Sequence, residues 1–219
     1  MTFSSTRERI LDCAERLFSE KGISGTSLRA LTRAADVNLA AVHYHFGSKE
    51  GLLDAVVERR AEPVNRERLA ELADLERDGQ PEVEAILRAF LAPGVRSIRA
   101  QPEMGERLTR LIARIEAQPP DVVEAIFRKH FGEIGKHFVE ALQRALPDLP
   151  KEVVSDRFRF AAGCLSYLFS GNFDLDVIPN HPPHAQTDDD KIRDVILFIA
   201  AGLRGRAGPD RSHDEGPTQ

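Results

Sequence analysis

Cysteine is nearly absent from this 219-residue sequence: Cys13 and Cys164 are its only two, and they lie far apart in the chain. Two distant cysteines exclude a disulfide framework and give no metal-ligand spacing, so the pattern fits a reducing cytoplasm. Long apolar runs are also missing, since the longest, 195–203, is far shorter than the roughly 20 residues of a membrane helix. The N-terminal residues lack the order of a signal peptide. We therefore expect a cytoplasmic protein without a membrane partner.

Sequence motifs of cofactor and active sites are missing as well. The sequence contains no Gly-rich phosphate loop, no G-x-S-x-G elbow and no H-E-x-x-H helix. His43 and His45 are two residues apart, a spacing that puts them on different sides of a helix and is poor for a shared metal. We expect no cofactor, no metal and no catalytic residues.

The charge is acidic overall but unevenly distributed. The net charge of −5 excludes a uniformly basic nucleic-acid coat protein. Residues 1–60 hold nine Lys and Arg against eight Asp and Glu, whereas residues 61–219 hold 21 against 27. The acidity therefore belongs to the later part of the chain, and a nucleic-acid contact in the first 60 residues stays open.

The hydrophobic periodicity is helical almost throughout, and strand-like alternation is absent, so the sequence predicts an all-α protein. Gly22 is expected to end the first helix, and Pro63 to kink the fourth. Pro93 and Gly94 are expected to bend or split the fifth. The predicted later helices cover 28–35, 39–45, 49–78, 82–99, 104–117, 121–145, 151–172 and 188–204. The stretch 172–186 is rich in Pro and Asn and is not expected to be helical, and 205–219 is expected to be a disordered tail.

Two of these helices are short and follow one another across a three-residue turn. Asp36 suits the turn, and Asn38 suits the N-cap of the helix after it. Thr26 or Ser27 is expected to cap the helix before it. Such a pair predicts a helix-turn-helix unit, whose second helix can enter the major groove of DNA.

The residues of this unit carry a resemblance to a known family. The segment T-S-L-R-x-L-x-x-A-A-D-V-N-L-A-A-V-H-Y-H-F-G-S-K-E-G-L-L, from Thr26 to Leu53, resembles the DNA-binding domain of TetR-family transcriptional regulators. So does R-x-R-I-L-D-x-A-x-x-L-F-x-E-K-G, from Arg7 to Gly22. The sequence departs from the family at Asp36 and Ala40, both positions where Gly is frequent, and at His43, a frequent aromatic position. The departures at Ala40 and His43 are expected to change the operator sequence that is read.

The resemblance implies specific DNA contacts. Tyr44 and Lys49 would contact phosphates, as would Thr26 and Ser27, and Asn38, Leu39, Ala40 and His43 would face base edges. For Tyr44 a role in packing is the alternative, for Asn38 a role as a cap, and for Arg29 and Arg33 simple solvation. The full set of predicted DNA-binding residues is Thr26, Ser27, Arg29, Asn38, Leu39, Ala40, His43, Tyr44, His45 and Lys49.

The resemblance also implies a second helical domain that binds an effector. It divides the chain into a helix-turn-helix domain at 1–60, an effector-binding and dimerisation domain at 61–204 and the tail. Sequences such as R-R-A-E-P-V-N-R-E-R-L and F-I-A-A-G-L resemble a PsrA-like or CecR-like branch that responds to fatty acids or other hydrophobic molecules. We predict an apolar pocket for such an effector, a fatty acid or an acyl-CoA, although ordinary core packing is the alternative for each residue. The predicted pocket residues are Phe90, Leu108, Leu111, Ile112, Ile115, Phe127, Phe131, Ile134, Phe138, Phe160, Cys164 and Tyr167.

The last two helices are predicted to pair with their copies across a two-fold axis as a four-helix interface. The alternative is burial against their own subunit. The predicted interface residues are Phe158, Ala161, Ala162, Leu165, Phe169, Ile192, Val195, Ile196, Ile199 and Leu203.

Together these patterns predict a dimeric, ligand-responsive repressor that an effector releases from a near-palindromic operator. An all-α protein-interaction module and an enzyme are the alternatives.

Overall fold

The computed structural model describes residues 5–100, 102–170 and 187–206, with backbone alone at 102, 165–170 and 188. Every regular element in these ranges is an α-helix, which confirms the all-α prediction. The helices are α1 (Thr6–Lys21), α2 (Leu28–Ala35), α3 (Leu39–Phe46), α4 (Lys49–Arg77), α5 (Val83–Arg99), α6 (Pro102–Glu116), α7 (Pro120–Ala145), α8 (Lys151–Ser170) and α9 (Asp188–Arg204). None of these described helices is long and apolar enough to cross a membrane. Most of the predicted tail, and the segment 171–186, lie outside the described residues.

The first helices begin and end where their cap residues predict. The side chains of Ser27, Asn38 and Ser48 each accept a hydrogen bond from the amide three residues on, at 3.1, 2.8 and 3.1 Å. Gly22 ends α1 at φ 78°, and Asp36 ends α2 in the left-handed region at φ 51°. Short polar side chains satisfy the free amides of a helix N-terminus, so the three caps fix the starts of α2, α3 and α4.

The prolines do not interrupt the long helices. The helix α4 continues past Pro63, and α5 continues past Pro93 and Gly94, so the predicted split of α5 is wrong. Pro93 and Gly94 are both buried. Tertiary packing on both sides of α5 outweighs the loss of one backbone hydrogen bond at the proline.

The core of the first three helices extends into the later part of the chain. Ile10, Leu11, Phe18, Leu31 and Val42 form its centre, each fully buried. Three side chains from α6 and α7 complete it, namely Leu111, Ile115 and Ile126. The helix α4 also runs unbroken across residue 60, where we predicted the domain boundary. The two halves therefore share one helix and part of one core.

A second core holds α5, α7, α8 and α9 together. Its centre is a trio of phenylalanines, in which the Phe90 ring lies 5.2 Å from Phe138 and 4.8 Å from Phe158. The side chain of Arg68 lies beside this trio, 3% exposed, and its Nε donates to the Phe90 carbonyl at 2.8 Å. Burial lowers the pKa of Arg68 to about 10. This arginine ties α4 to α5.

Candidate nucleic-acid interface and effector cavity

One side of α3 is exposed, and we call it the α3 surface: Leu39, Ala40, His43 and Tyr44. Leu39 is 43% exposed and Tyr44 86%, whereas Val42 on the opposite side is fully buried. Large apolar and aromatic side chains this exposed, on a short helix that is anchored from behind, are available for contact with another molecule.

The Tyr44 side chain does not belong to the core of the subunit. Its ring meets only the edge of the His45 ring, with centroids 5.1 Å apart, among the ring contacts of the described residues. The packing alternative for Tyr44 therefore has no support in this structure. His45 is exposed beside it.

The tautomer of His43 is determined by its neighbour. Its Nδ1 lies 2.7 Å from the Gly47 carbonyl oxygen. A carbonyl oxygen only accepts, so Nδ1 carries the hydrogen, and in the neutral ring Nε2 is an acceptor. In its neutral form the exposed His43 ring therefore presents a hydrogen-bond acceptor, Nε2, at the α3 surface.

Thr26 is placed differently from the prediction. It is 1% exposed, and its Oγ1 donates to the carbonyl oxygens of Leu17 at 3.1 Å and Gly22 at 2.8 Å. The cap of α2 is Ser27. The prediction that Thr26 contacts phosphate is thus corrected: its hydroxyl is consumed in holding α2 on the end of α1.

Asn38 adopts the alternative role that its position predicted. Its Oδ1 accepts from the Ala41 amide at 2.8 Å and so caps α3. A bidentate contact with adenine would require the same oxygen to accept a second hydrogen bond. The capping hydrogen bond does not use the Nδ2 group of this exposed side chain, which therefore stays available as a donor.

Cationic side chains lie on the two helices that flank α3 in the sequence, α2 and α4. Arg29 and Arg33 of α2 are exposed, and Lys49 is half-buried in the first turn of α4. Between residues 24 and 49 the only acidic side chain is Asp36. Free amides at the start of α4 add to the attraction that this region exerts on an anion.

An apolar cavity of about 410 Å³ lies in the second half of the chain. This volume falls in the range of about 300–1,000 Å³ that is common for small-molecule sites. Helices α4, α5, α6, α7 and α8 all contribute to its wall. Four of its lining side chains are polar, and these are Arg60, Ser97, Glu116 and Arg159.

Eight of the twelve predicted pocket residues line this cavity: Phe90, Leu108, Leu111, Ile112, Ile115, Phe127, Phe131 and Ile134. Phe138 does not, because it is fully buried behind Phe90 and Phe158. Phe160 points away from the cavity and is 73% exposed, and Cys164 packs at the edge of the core. The side chain of Tyr167 lies outside the described residues.

Most of the predicted dimer residues lie inside their own subunit. Phe158, Ala161, Ile192, Ile196, Ile199 and Leu203 are buried, and Ala162 and Val195 pack against the same core. Phe158 and Ala162 also line the cavity. These residues therefore offer a partner little surface, and the prediction for them is corrected to the alternative of burial within the subunit. The side chains of Leu165 and Phe169 lie outside the described residues.

A buried ion cluster joins α1 to α4 beside the cavity, and the sequence analysis missed it. Glu15 is 1% exposed and accepts hydrogen bonds from both Arg59 and Arg60. Burial by itself lowers the pKa of Arg59, but hydrogen bonds to Asp12 and Glu15 outweigh it and raise that pKa. The signal was present in the sequence, since Glu15 lies one helical turn after Leu11 and one before Phe18 on the apolar side of α1.

A second polar contact joins α4 to α7. Asp54 accepts from Lys129 at 2.5 Å and lies 2.8 Å from Nε2 of His130. Partial burial raises the pKa of Asp54, but the hydrogen bonds from these two residues outweigh it and lower that pKa. The contact fixes α7, one wall of the cavity, to the start of α4.

The sequence matches two family models. Residues 10–56 match the one described as bacterial regulatory proteins of the tetR family. Residues 88–202, more than half of the chain, match the one described as a tetracyclin repressor-like C-terminal domain. The chain belongs to the TetR family. The family models and the names of the relatives indicate a transcriptional regulator and not an enzyme.

The names of similar proteins support the assignment to the TetR family. The probable HTH-type transcriptional regulator YttP of Bacillus subtilis is 45% identical over 53 residues, which are 24% of this chain and 26% of that protein. The match thus spans about a quarter of that relative's length.

Solved structures support the fold over more than nine tenths of the chain. The TetR-family regulator PfmR of Thermus thermophilus matches this chain with a TM-score of 0.59 at 20% identity. The match covers 91% of this chain and 100% of the PfmR chain. The fatty acid degradation regulator FadR of Bacillus halodurans has a TM-score of 0.62 at 13% identity, with coverages of 94% and 100%. At these identities the likeness shows the fold alone.

Proposed function

We propose that this TetR-family chain is a repressor whose α3 enters the major groove of a near-palindromic DNA operator. The observation that carries the proposal is the α3 surface, exposed on one side and anchored by buried Val42 on the other. Leu39 suits contact with a thymine methyl, and Nε2 of His43 suits an amino group of cytosine or adenine. Ser27, Arg29, Tyr44, His45 and Lys49 would contact the backbone and set the register.

Replacing Lys49 by Ala is expected to weaken operator binding at every sequence and to reduce the salt slope by about 1, because one phosphate contact is lost. Replacing Tyr44 by Phe removes a neutral hydroxyl, so affinity should fall while the salt slope stays close to that of the wild type. Fluorescence-anisotropy titrations of DNA from upstream of the gene, at several salt concentrations, measure both quantities.

The matched control for these variants is Lys151→Ala, which removes an exposed lysine at the start of α8. Its affinity and salt slope should equal those of the wild type. Unchanged operator affinity in both Tyr44→Phe and Lys49→Ala would contradict the contact assignment. Absence of any salt-sensitive, sequence-selective binding by the wild type would instead favour a protein-interaction module.

We propose that the protein binds DNA as a homodimer formed by α8 and α9. Both helices keep large apolar side chains outside their own core, since Phe160 is 73% exposed, Leu197 53% and Phe198 76%. We call these three residues the outer face. Two copies of one apolar face can pair across a two-fold axis, and the palindrome would mirror that symmetry.

We propose further that the cavity binds an apolar effector of the fatty-acid or acyl-CoA class, as in the PsrA-like or CecR-like branch. Its lining is apolar apart from four side chains, which supports this class. Three lining residues, Leu111, Ile115 and Ile126, also belong to the core under the helix-turn-helix unit. An occupant that moves them would shift the spacing of the two recognition helices in the dimer.

A native mass spectrum of protein purified from cells tests the effector class. We expect an additional mass that corresponds to a molecule with a long acyl chain, because an apolar wall of this size favours such a ligand. A compact, highly charged ligand in its place would contradict the assignment.

A further inference from the structure

Arg60 lies at the junction between the cavity and the helix-turn-helix domain. It lines the cavity, yet its guanidinium binds Glu15 of α1 through two hydrogen bonds. Nε donates to Oε2 at 2.8 Å and Nη2 donates to Oε1 at 2.9 Å. A carboxylate therefore already occupies the planar fork of an arginine that borders an apolar chamber.

Glu15 also pairs with a second arginine, Arg59, so that Arg60 could leave Glu15 without leaving its carboxylate unpaired. Nη2 of Arg59 donates to Oε2 of Glu15 at 2.7 Å. Removing the sole partner of a buried carboxylate would leave its charge uncompensated. With Arg59 in place, Glu15 remains paired when Arg60 turns away, and Asp12 continues to hold Arg59 at 2.7 Å.

Of the two arginines that line the cavity, Arg60 is the one whose side chain is mostly shielded from solvent. Arg159, the other lining arginine, has a side chain 77% exposed and pairs with Asp156, whereas the Arg60 side chain is 27% exposed. Within the described residues the hydrogen bonds of Arg60 run from Nε and Nη2 to Glu15 and Met104 Sδ, and none runs from Nη1. A carboxylate on an apolar ligand would thus meet free donor capacity without leaving the chamber.

We propose that the effector is an apolar molecule bearing a carboxylate, and that this carboxylate binds Arg60 in exchange for Glu15. The proposal rests on the effector function proposed above and specifies its chemistry. Occupancy would remove one of the two ion pairs between α1 and α4 at Glu15. The same event that fills the cavity would then loosen the helix that supports α2 and α3.

Dodecanoate and dodecanol test this proposal, because they share one chain length and differ in the charged group. Moving a carboxylate out of water is unfavourable without a partner, so an uncharged cavity would favour the alcohol. Isothermal titration calorimetry below the micelle-forming concentration is expected to give dodecanoate about tenfold tighter binding than dodecanol, as one charge-assisted contact provides.

The variant Arg60→Gln should lose this preference while retaining its affinity for dodecanol. Glu15→Gln, which removes the competing charge, should raise the affinity for dodecanoate alone. The matched control is Arg66→Gln on the same helix, since Arg66 is 71% exposed and pairs with Glu62 away from the cavity lining. A purely structural role of Arg60 would lower the affinity for both probes equally, which would contradict the proposal.

The comparison of dodecanoate with dodecanol on the wild-type protein can still contradict the role of Arg60 if a variant fails to fold. Equal binding, or a preference for dodecanol, overturns the role of Arg60 and leaves the apolar effector site standing. Binding of neither probe contradicts the apolar site itself and, with it, the role of Arg60.

Discussion

Replacing Phe198 with Glu is expected to convert the protein into a monomer and to lower its operator affinity by at least about a hundredfold. Phe198 is 76% exposed on α9 and belongs, with its neighbour Leu197, to the outer face. A carboxylate there would be buried without a partner in the dimer, which opposes association. A monomer engages one half-site only, and linked binding at two sites is commonly worth 10²–10⁴-fold in affinity. Sedimentation velocity and operator titration measure the two effects.

The matched control for Phe198→Glu is Val122→Glu. Val122 is also exposed and apolar, at 36%, but lies near the start of α7 and outside the outer face. The Val122→Glu variant should remain dimeric and keep the operator affinity of the wild type. A dimeric Phe198→Glu protein with unchanged sedimentation would show that the outer face is not the interface.

The helix-turn-helix unit could be predicted from sequence because its signals are local. Ser27, Asn38 and Ser48 act on amides three residues away, so each cap is visible in a short stretch of chain. Thr26 shows where this fails. Its hydroxyl reaches the carbonyl of Leu17, nine residues back, and only the tertiary fold decides between that contact and a cap.

The cavity was predictable in composition but not in boundary. Helical spacing identifies an apolar face, yet it does not say whether that face meets a neighbour or an empty volume. Phe90 and Phe138 carry the same signal, and the structure puts the first on the wall and the second in the core. Arg60 was missed because its partner Glu15 lies 45 residues away in sequence.

The dimer prediction was incorrect at most positions because each of the last helices has two apolar faces. On α9 the residues Ile192, Ile196, Ile199 and Leu203 recur at three- and four-residue steps and pack in the core. Leu197 and Phe198 interrupt that stripe and remain outside it. The apolar run 195–203 covers the whole circumference of the helix. The sequence pattern therefore could not show which of its sides is buried in the subunit.

The shared core would give a physical route from the proposed effector site to the proposed DNA-binding surface. Leu111 and Ile115 of α6 touch the cavity with one side and the core of α1 with the other. Close-packed interiors transmit displacement because they have little free volume. The ion cluster at Glu15 adds a second connection on α4. Effector binding and DNA binding should therefore be coupled thermodynamically, each weakening the other by the same factor.

Replacing Phe138 with Ala is expected to destabilise the protein by about 3–5 kcal/mol, the usual loss for a fully buried phenylalanine. Phe138 is 0% exposed and its ring contacts Phe90 and Phe158, which both form part of the cavity wall. The midpoint temperature should fall by roughly 10 °C for a chain of this size. Urea and thermal unfolding at one protein concentration measure the change, because the stability of the proposed dimer would depend on concentration.

The matched control for Phe138→Ala is Tyr44→Ala, which truncates an aromatic side chain that is 86% exposed. Its unfolding free energy should stay within about 0.5 kcal/mol of the wild type. Because Phe138 supports two walls of the cavity from behind, its loss should also loosen the effector site, so an apolar ligand that fills the new space should restore part of the stability. A loss of less than about 1 kcal/mol would contradict the close packing of Phe138 against Phe90 and Phe158.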